Sequence, residues 1–213
     1  MTREEVLDRY RHLRAISRSL HSDALTFVSR SAILEHAKRL GLGDKQMLFA
    51  DSEEEMTLVF DLAVHTAKAG RSRALDRHAR AHPPLAGSDE ARMLDALRQA
   101  RFSVWRVQQR HETAGLIVSD VLREADVWLV DENLEASAAP DMGFAGRICV
   151  PESFAMTCGV VVPVDQTLLE QVSRDTLAWR LSSPEQVAQD PRFATAIYRG
   201  AVEIGLMNRV AYE

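Results

Sequence analysis

Near Phe102 the chain changes texture. From there to Val164 it is dense in Val, Ile, Phe and Trp, and Gly, Pro and Asn interrupt it every few residues. Apolar residues on both sides of this stretch recur instead with helical period. Runs rich in β-branched and aromatic residues between turn formers read as strands. They fall at about 102–109, 114–120, 126–131, 143–150 and 155–162. The connections are short, so the strands should pair antiparallel. Asp131-Glu132-Asn133 and Ala139-Pro140-Asp141-Met142-Gly143 carry turn chemistry. Strands grouped between two helical blocks argue for an α+β fold. The expectation is an N-terminal helical bundle over 1–100 and a five-stranded antiparallel, barrel-like sheet over 101–164. C-terminal helices over 165–213 pack back, either as their own block or as part of the helical domain.

The helical block divides at its caps. Val6, Leu7, Tyr10, Leu13 and Ile16 form one stripe, predicting a helix from Thr2 to about Ser19. Ser22 or Asp23 can cap a second helix carrying Leu25, Val28, Ile33 and Leu40, which Gly41 and Gly43 end. Ser52 and Glu55 have the spacing of a capping box, with Glu53 and Glu54 suited to a positive helix end. Met56, Val59, Phe60, Ala63, Val64 and Ala67 follow, and Leu58 and Leu62 widen the apolar face. A helix apolar over so much of its surface should be central and buried. Residues 72–81 predict a short helix stopped by His82-Pro83-Pro84, and Ser88 opens another. After the strands, Asp165, Ser183-Pro184 and Asp190-Pro191 mark three more helix starts.

A length of 213 residues allows one large domain or two small ones. With 46% apolar and 27% charged residues the chain can bury a core. A net charge of -5 argues against general nucleic-acid binding and leaves room for a local basic patch. Only Lys38, Lys45 and Lys68 are lysines among the 26 basic residues. Arg suits planar anions, but base composition at the genome level explains the excess more simply. Cys149 and Cys158 are too few for a disulfide scaffold. The charged start MTREEVLDRYRHLRAISRSL has no signal-peptide core, and no apolar run is long enough to span a bilayer. The expected location is cytoplasmic, with no membrane partner.

Four segments carry a resemblance. They are Phe102-Ser103-Val104-Trp105-Arg106-Val107, then Gly115 to Leu122, then Val127-Trp128-Leu129-Val130-Asp131-Glu132, and Met142 to Ile148. In these, and over about Ser52 to Val164, the chain resembles a group of uncharacterised bacterial proteins with a helical half followed by a small β unit. Some of that group carry an appended SEC-C zinc motif. It is absent here, because two cysteines nine residues apart cannot make a four-ligand site. The resemblance implies the fold and transfers no chemistry.

Asp61 and His65 lie four residues apart on the central helix, and His78 and His82 repeat the spacing. Facing each other, the two pairs could hold a divalent metal for a hydrolase-like reaction. The plainer reading is an Asp–His hydrogen bond within one helix and an exposed second pair. Arg73, Arg77 and Arg80 share a face near Arg71 and could dock an anion, a nucleic acid or an acidic partner. A solvated helix face explains them as well. Residues 30–48 resemble a helix-turn-helix only in outline, since the second half offers Lys45 alone as a cation. No nucleophile elbow or Gly-rich phosphate loop occurs, and no cofactor is predicted. The leading expectation is therefore a non-enzymatic interaction module or homo-oligomer, with the metal enzyme and the Arg-rich nucleic-acid binder as alternatives.

Overall fold

The computed structural model describes residues 1–206 except Lys45, Asp51, Ala69 and Ser182. The described elements run α1 (Arg3–Leu25), α2 (Arg30–Leu40), α3 (Glu53–His65), α4 (Ala74–Ala81) and α5 (Asp89–Arg98), then β1 (Arg101–Arg110), β2 (Leu116–Asp120) and β3 (Ala125–Leu129). After these come α6 (Glu132–Ser137), β4 (Gly143–Cys149), β5 (Met156–Val164), α7 (Gln166–Ala178), α8 (Pro184–Gln189) and α9 (Arg192–Glu203). The class is α+β.

Local chemistry accounts for the helix starts. Thr2, Ser29, Ser52, Ser88, Asp165 and Ser183 each accept a hydrogen bond from the backbone N–H three residues on. Gly41 ends α2 in the left-handed conformation, with φ of 79°. One expected boundary is wrong. Ser22 and Asp23 open no helix; both sit exposed inside α1. The buried seam Val6, Tyr10, Leu13, Ser17, Leu20 and Ala24 continues past them, and packing along that seam outweighs a competing cap. The true cap of α2 is Ser29.

Two more expectations change. Asp131-Glu132-Asn133 is a helix start rather than a simple turn, because the Asp131 carboxylate accepts from Leu134 N–H and opens α6. Between α2 and α3 the described residues form no second helix of a helix-turn-helix. Asp44 accepts from the N–H groups of Gln46 and Met47, and Gly43 bridges to Leu48. Lys45 and Asp51 lie outside the described residues.

The strands form one antiparallel sheet in the order β3-β2-β1-β4-β5. It is not closed into a barrel. Among the described residues the β3 edge meets the chain beside β5 at one isolated bridge, between Leu129 and Ala155, the residue before β5. There Val130 N–H donates to the Ala155 carbonyl and Ala155 N–H to the Trp128 carbonyl. Trp105, Phe144, Leu116 and Val118 fill the curl, joined by Leu134 of α6. Trp105 Nε1 donates to the Gly146 carbonyl at 3.0 Å, which satisfies the one polar atom of a fully buried indole.

Helix α3 is central. It packs on α1, α2, α4, α9 and β5, and Leu58 and Leu62 are completely buried. Met56 and Phe60 are only half-buried and Ala67 is exposed, so the inward face is rotated toward Leu58 and Leu62. Phe193, Ile197, Tyr198 and Ala201 of α9 join α2, α3, β1, β4 and β5 in one core cluster. A second cluster unites α1, α4 and α5 with Cys149, Phe154, Met156 and Cys158. The C-terminal helices thus pack back onto the first half.

Candidate functional site

Asp61 faces the sheet from the buried side of α3. Its carboxylate accepts from Arg147 Nε of β4, at 3.0 Å to each oxygen, and from Tyr198 Oη of α9 at 3.0 Å. All three residues are buried. Burial works against the Arg147 charge, but Asp61 and Tyr198 outweigh it and hold the guanidinium pKa above its ordinary value. Burial, then the Asp61 charge, push the Tyr198 phenol well above its ordinary pKa, so it stays a donor. Gly159 of β5 makes this approach possible, having no side chain where Asp61 lies.

His65, one turn further on, does not bond to Asp61. Its Nε2 lies 3.0 Å from Nε2 of His21 on α1. His21 Nδ1 is 2.8 Å from the Ser17 carbonyl, an acceptor, so Nδ1 carries a proton. With both rings neutral, His21 Nε2 accepts and His65 Nε2 donates. Burial lowers the pKa of both, and for His65 the Arg147 charge adds to it.

The other expected ligands lie elsewhere. His78 is buried and His82 exposed; their ring centroids are 5.4 Å apart, and each packs edge-on against Phe27. Among the described residues no three His, Cys, Asp or Glu side chains are placed to hold a metal ion. Asp61, His65, His78 and His82 therefore do not form a common constellation. Over Asp61 a cleft of about 590 Å³ opens between α1, α3 and β5.

The arginine stripe is largely used internally. Arg73 pairs with Asp76 at 2.7 Å and donates to the Arg98 carbonyl. Arg77 donates to the Ser72 and Phe27 carbonyls, and Arg80 to the Asp76 carbonyl and the Ser72 hydroxyl. Arg71 is exposed and forms no ion pair with any described residue.

Arg71 and Arg77 instead help to line a groove of about 990 Å³ between α2 and α9, floored by the end of α3. Lys38, Arg39, Lys68, Arg192 and Arg199 complete seven cations around it, against the carboxylates Glu35 and Asp175. Glu35 is shared by Arg39 at 2.5 Å and Lys68 at 2.7 Å, and Asp175 pairs with Arg199 at 2.5 Å. Arg192 pairs with Asp190 at 2.6 Å and lies 4.6 Å over the Trp179 ring, and Glu203 lies 3.7 Å from Arg199. Lys38, like Arg71, has no ion pair among the described residues. The sequence reading missed Arg192 and Arg199, because helix stripes 150 residues apart share a groove only after folding. It also missed Arg147, Tyr198 and His21.

No helix among the described residues is long and apolar enough to cross a membrane. No curated protein and no solved structure matches the chain. One family model does, over residues 4–196, and by that match the chain belongs to DUF7986, a family of unknown function.

Proposed function

We propose that this chain is a cytoplasmic, non-enzymatic interaction module that holds an acidic segment of a partner protein in the groove between α2 and α9. The observation that carries this is the excess of cations there: seven line the groove, and after Glu35, Asp175 and the neighbouring Asp190 and Glu203 have paired, Lys38 and Arg71 still have no ion pair among the described residues, on a chain whose net charge is -5. Concentrating positive charge in a concave wall of a negative protein raises the local concentration of anionic ligands and steers their approach. Lys38 and Arg71 are available to an incoming carboxylate; both are exposed, so each such contact contributes about 0.2–1 kcal/mol and binding depends on several acting together. The groove follows α2, whose 11 residues extend about 16 Å, the reach of roughly five extended residues. A free sheet edge supports partner binding less well, since the bridge between Leu129 and Ala155 covers part of the β3 edge.

The test is fluorescence anisotropy with a labelled acidic decapeptide of alternating Glu and Ala, run at several salt concentrations beside a single-stranded RNA of equal charge. Saturable, salt-sensitive peptide binding that Lys38→Glu and Arg71→Glu each weaken supports the proposal. Preference for the RNA moves the groove to nucleic-acid binding, and no binding of either removes it.

A further inference from the structure

The cleft over Asp61 has walls of opposite charge. Arg14 and Arg18 stand on the α1 side, and Glu53 and Glu54 stand on the first turn of α3. Arg18, Glu53 and Glu54 form no ion pair with any described residue, although Arg and acid partners lie in one cleft. Arginines elsewhere on this surface take carboxylate partners: Arg9 bridges Asp89 and Glu152, and Arg11 bridges Asp8 and Glu132. Opposite charges across a gap normally collapse into a pair unless the backbone holds them apart. Here α1 and α3 are fixed by the packed core beneath, so the gap stays open. Arg14 is held in place from the protein side. One NH group donates to the Thr157 carbonyl and hydroxyl, while its Nε is buried without any hydrogen-bond partner.

We infer that this cleft binds a free α-amino acid with an apolar side chain. Its carboxylate would meet Arg14 and Arg18, and its ammonium would meet Glu53 and Glu54. A ligand that carries both charges can face both walls, which neither a simple anion nor a simple cation does. Leu25 and Phe60 also line the cleft and are half-buried, so an apolar side chain finds a surface beside the charges. A volume of about 590 Å³ accommodates such a molecule. This site is separate from the basic groove between α2 and α9 and stands or falls without it.

The experiment is calorimetric titration of the whole chain with L-leucine and L-phenylalanine, beside N-acetyl-leucine and leucine amide. The expected result is saturable binding of at least one free amino acid, with each capped form, which lacks one charge, weakened about tenfold or more. Arg18→Gln and Glu54→Gln should each weaken it by a similar factor. Arg18 is exposed, so its variant should keep the melting temperature of the unliganded protein, while Glu54→Gln should lower it slightly by removing a first-turn carboxylate of α3. Absence of binding at millimolar concentration overturns the inference. So does equal binding of the capped forms, or variants that bind as well as the parent chain.

Discussion

Gly159 makes room for Asp61. A Cβ on residue 159 would lie 2.4 Å from Asp61 Oδ1 and 3.8 Å from the Cβ of Arg147. The carboxylate cannot retreat without leaving Arg147 and Tyr198. Gly159→Ala is therefore expected to destabilise the fold by about 2–4 kcal/mol, from overpacking and a strained buried ion pair. Urea denaturation measures it, and a loss below about 0.5 kcal/mol would show that the network yields easily.

Asp61, Arg147 and Tyr198 should behave as one unit. Removing one partner leaves a buried charge alone, so Asp61→Leu or Arg147→Met should each cost about 3–5 kcal/mol. Tyr198→Phe removes one hydrogen bond to a charge and should cost about 1.5–3 kcal/mol. The double variant Asp61→Leu with Arg147→Met should cost clearly less than the two singles summed, since no charge is then stranded. Additive losses would contradict this coupling.

The paired imidazoles predict a pH dependence with a definite sign. Burial lowers the folded-state pKa of His21 and His65 below the ordinary histidine value. The unfolded chain then binds more protons than the folded one as pH falls below about 6.5, so stability is complete above that pH and declines on acidification. His36 is shifted the same way by burial and contributes in parallel. Melting temperature should fall between pH 7 and 5.5, before carboxylates protonate. The double variant His21→Asn with His65→Gln should flatten that slope, and an unchanged slope would mean that other groups cause it.

Arg71 and Arg77 should separate binding from stability. Arg77 satisfies two backbone carbonyls, Ser72 and Phe27, so Arg77→Ala should cost about 1–3 kcal/mol. Arg71→Ala should change stability by less than about 0.5 kcal/mol while weakening acidic-peptide binding. Thermal melts and anisotropy on the same two variants decide it; a large stability loss in Arg71→Ala contradicts the placement.

Cys149 and Cys158 should be silent toward thiol reagents. Both are free and buried. The hydrogen bond that the Cys158 thiol donates to its neighbour Cys149, then burial, raise the Cys158 pKa well above its ordinary value, so thiolate is scarce. Ellman titration at pH 8 should count no fast thiols in the native protein and two in denaturant. Fast labelling of the native chain would show an open route to β5.

The caps and strands were legible because they depend on neighbours in sequence. Ser52, Ser88 and Asp165 bond to backbone three residues away, and β3 and β5 begin within one residue of expectation. Asp61 and His65 stood out as polar groups on a buried helix. Their partners did not, since Arg147 is 86 residues from Asp61, Tyr198 is 137, and His21 is 44 from His65. The reach of α1 past Ser22 was hidden for the same reason, because a packed seam outweighed a local cap. By itself the sequence determined the α+β class, the order of helical and strand blocks and the burial of α3, through periodicity and short-range hydrogen bonding. Only the tertiary structure decided that the sheet stays open, that Asp61 turns to Arg147 rather than His65, and that α2 and α9 gather their cations around one groove. Those outcomes depend on contacts between distant segments, whose energies exist only once the core has brought them together.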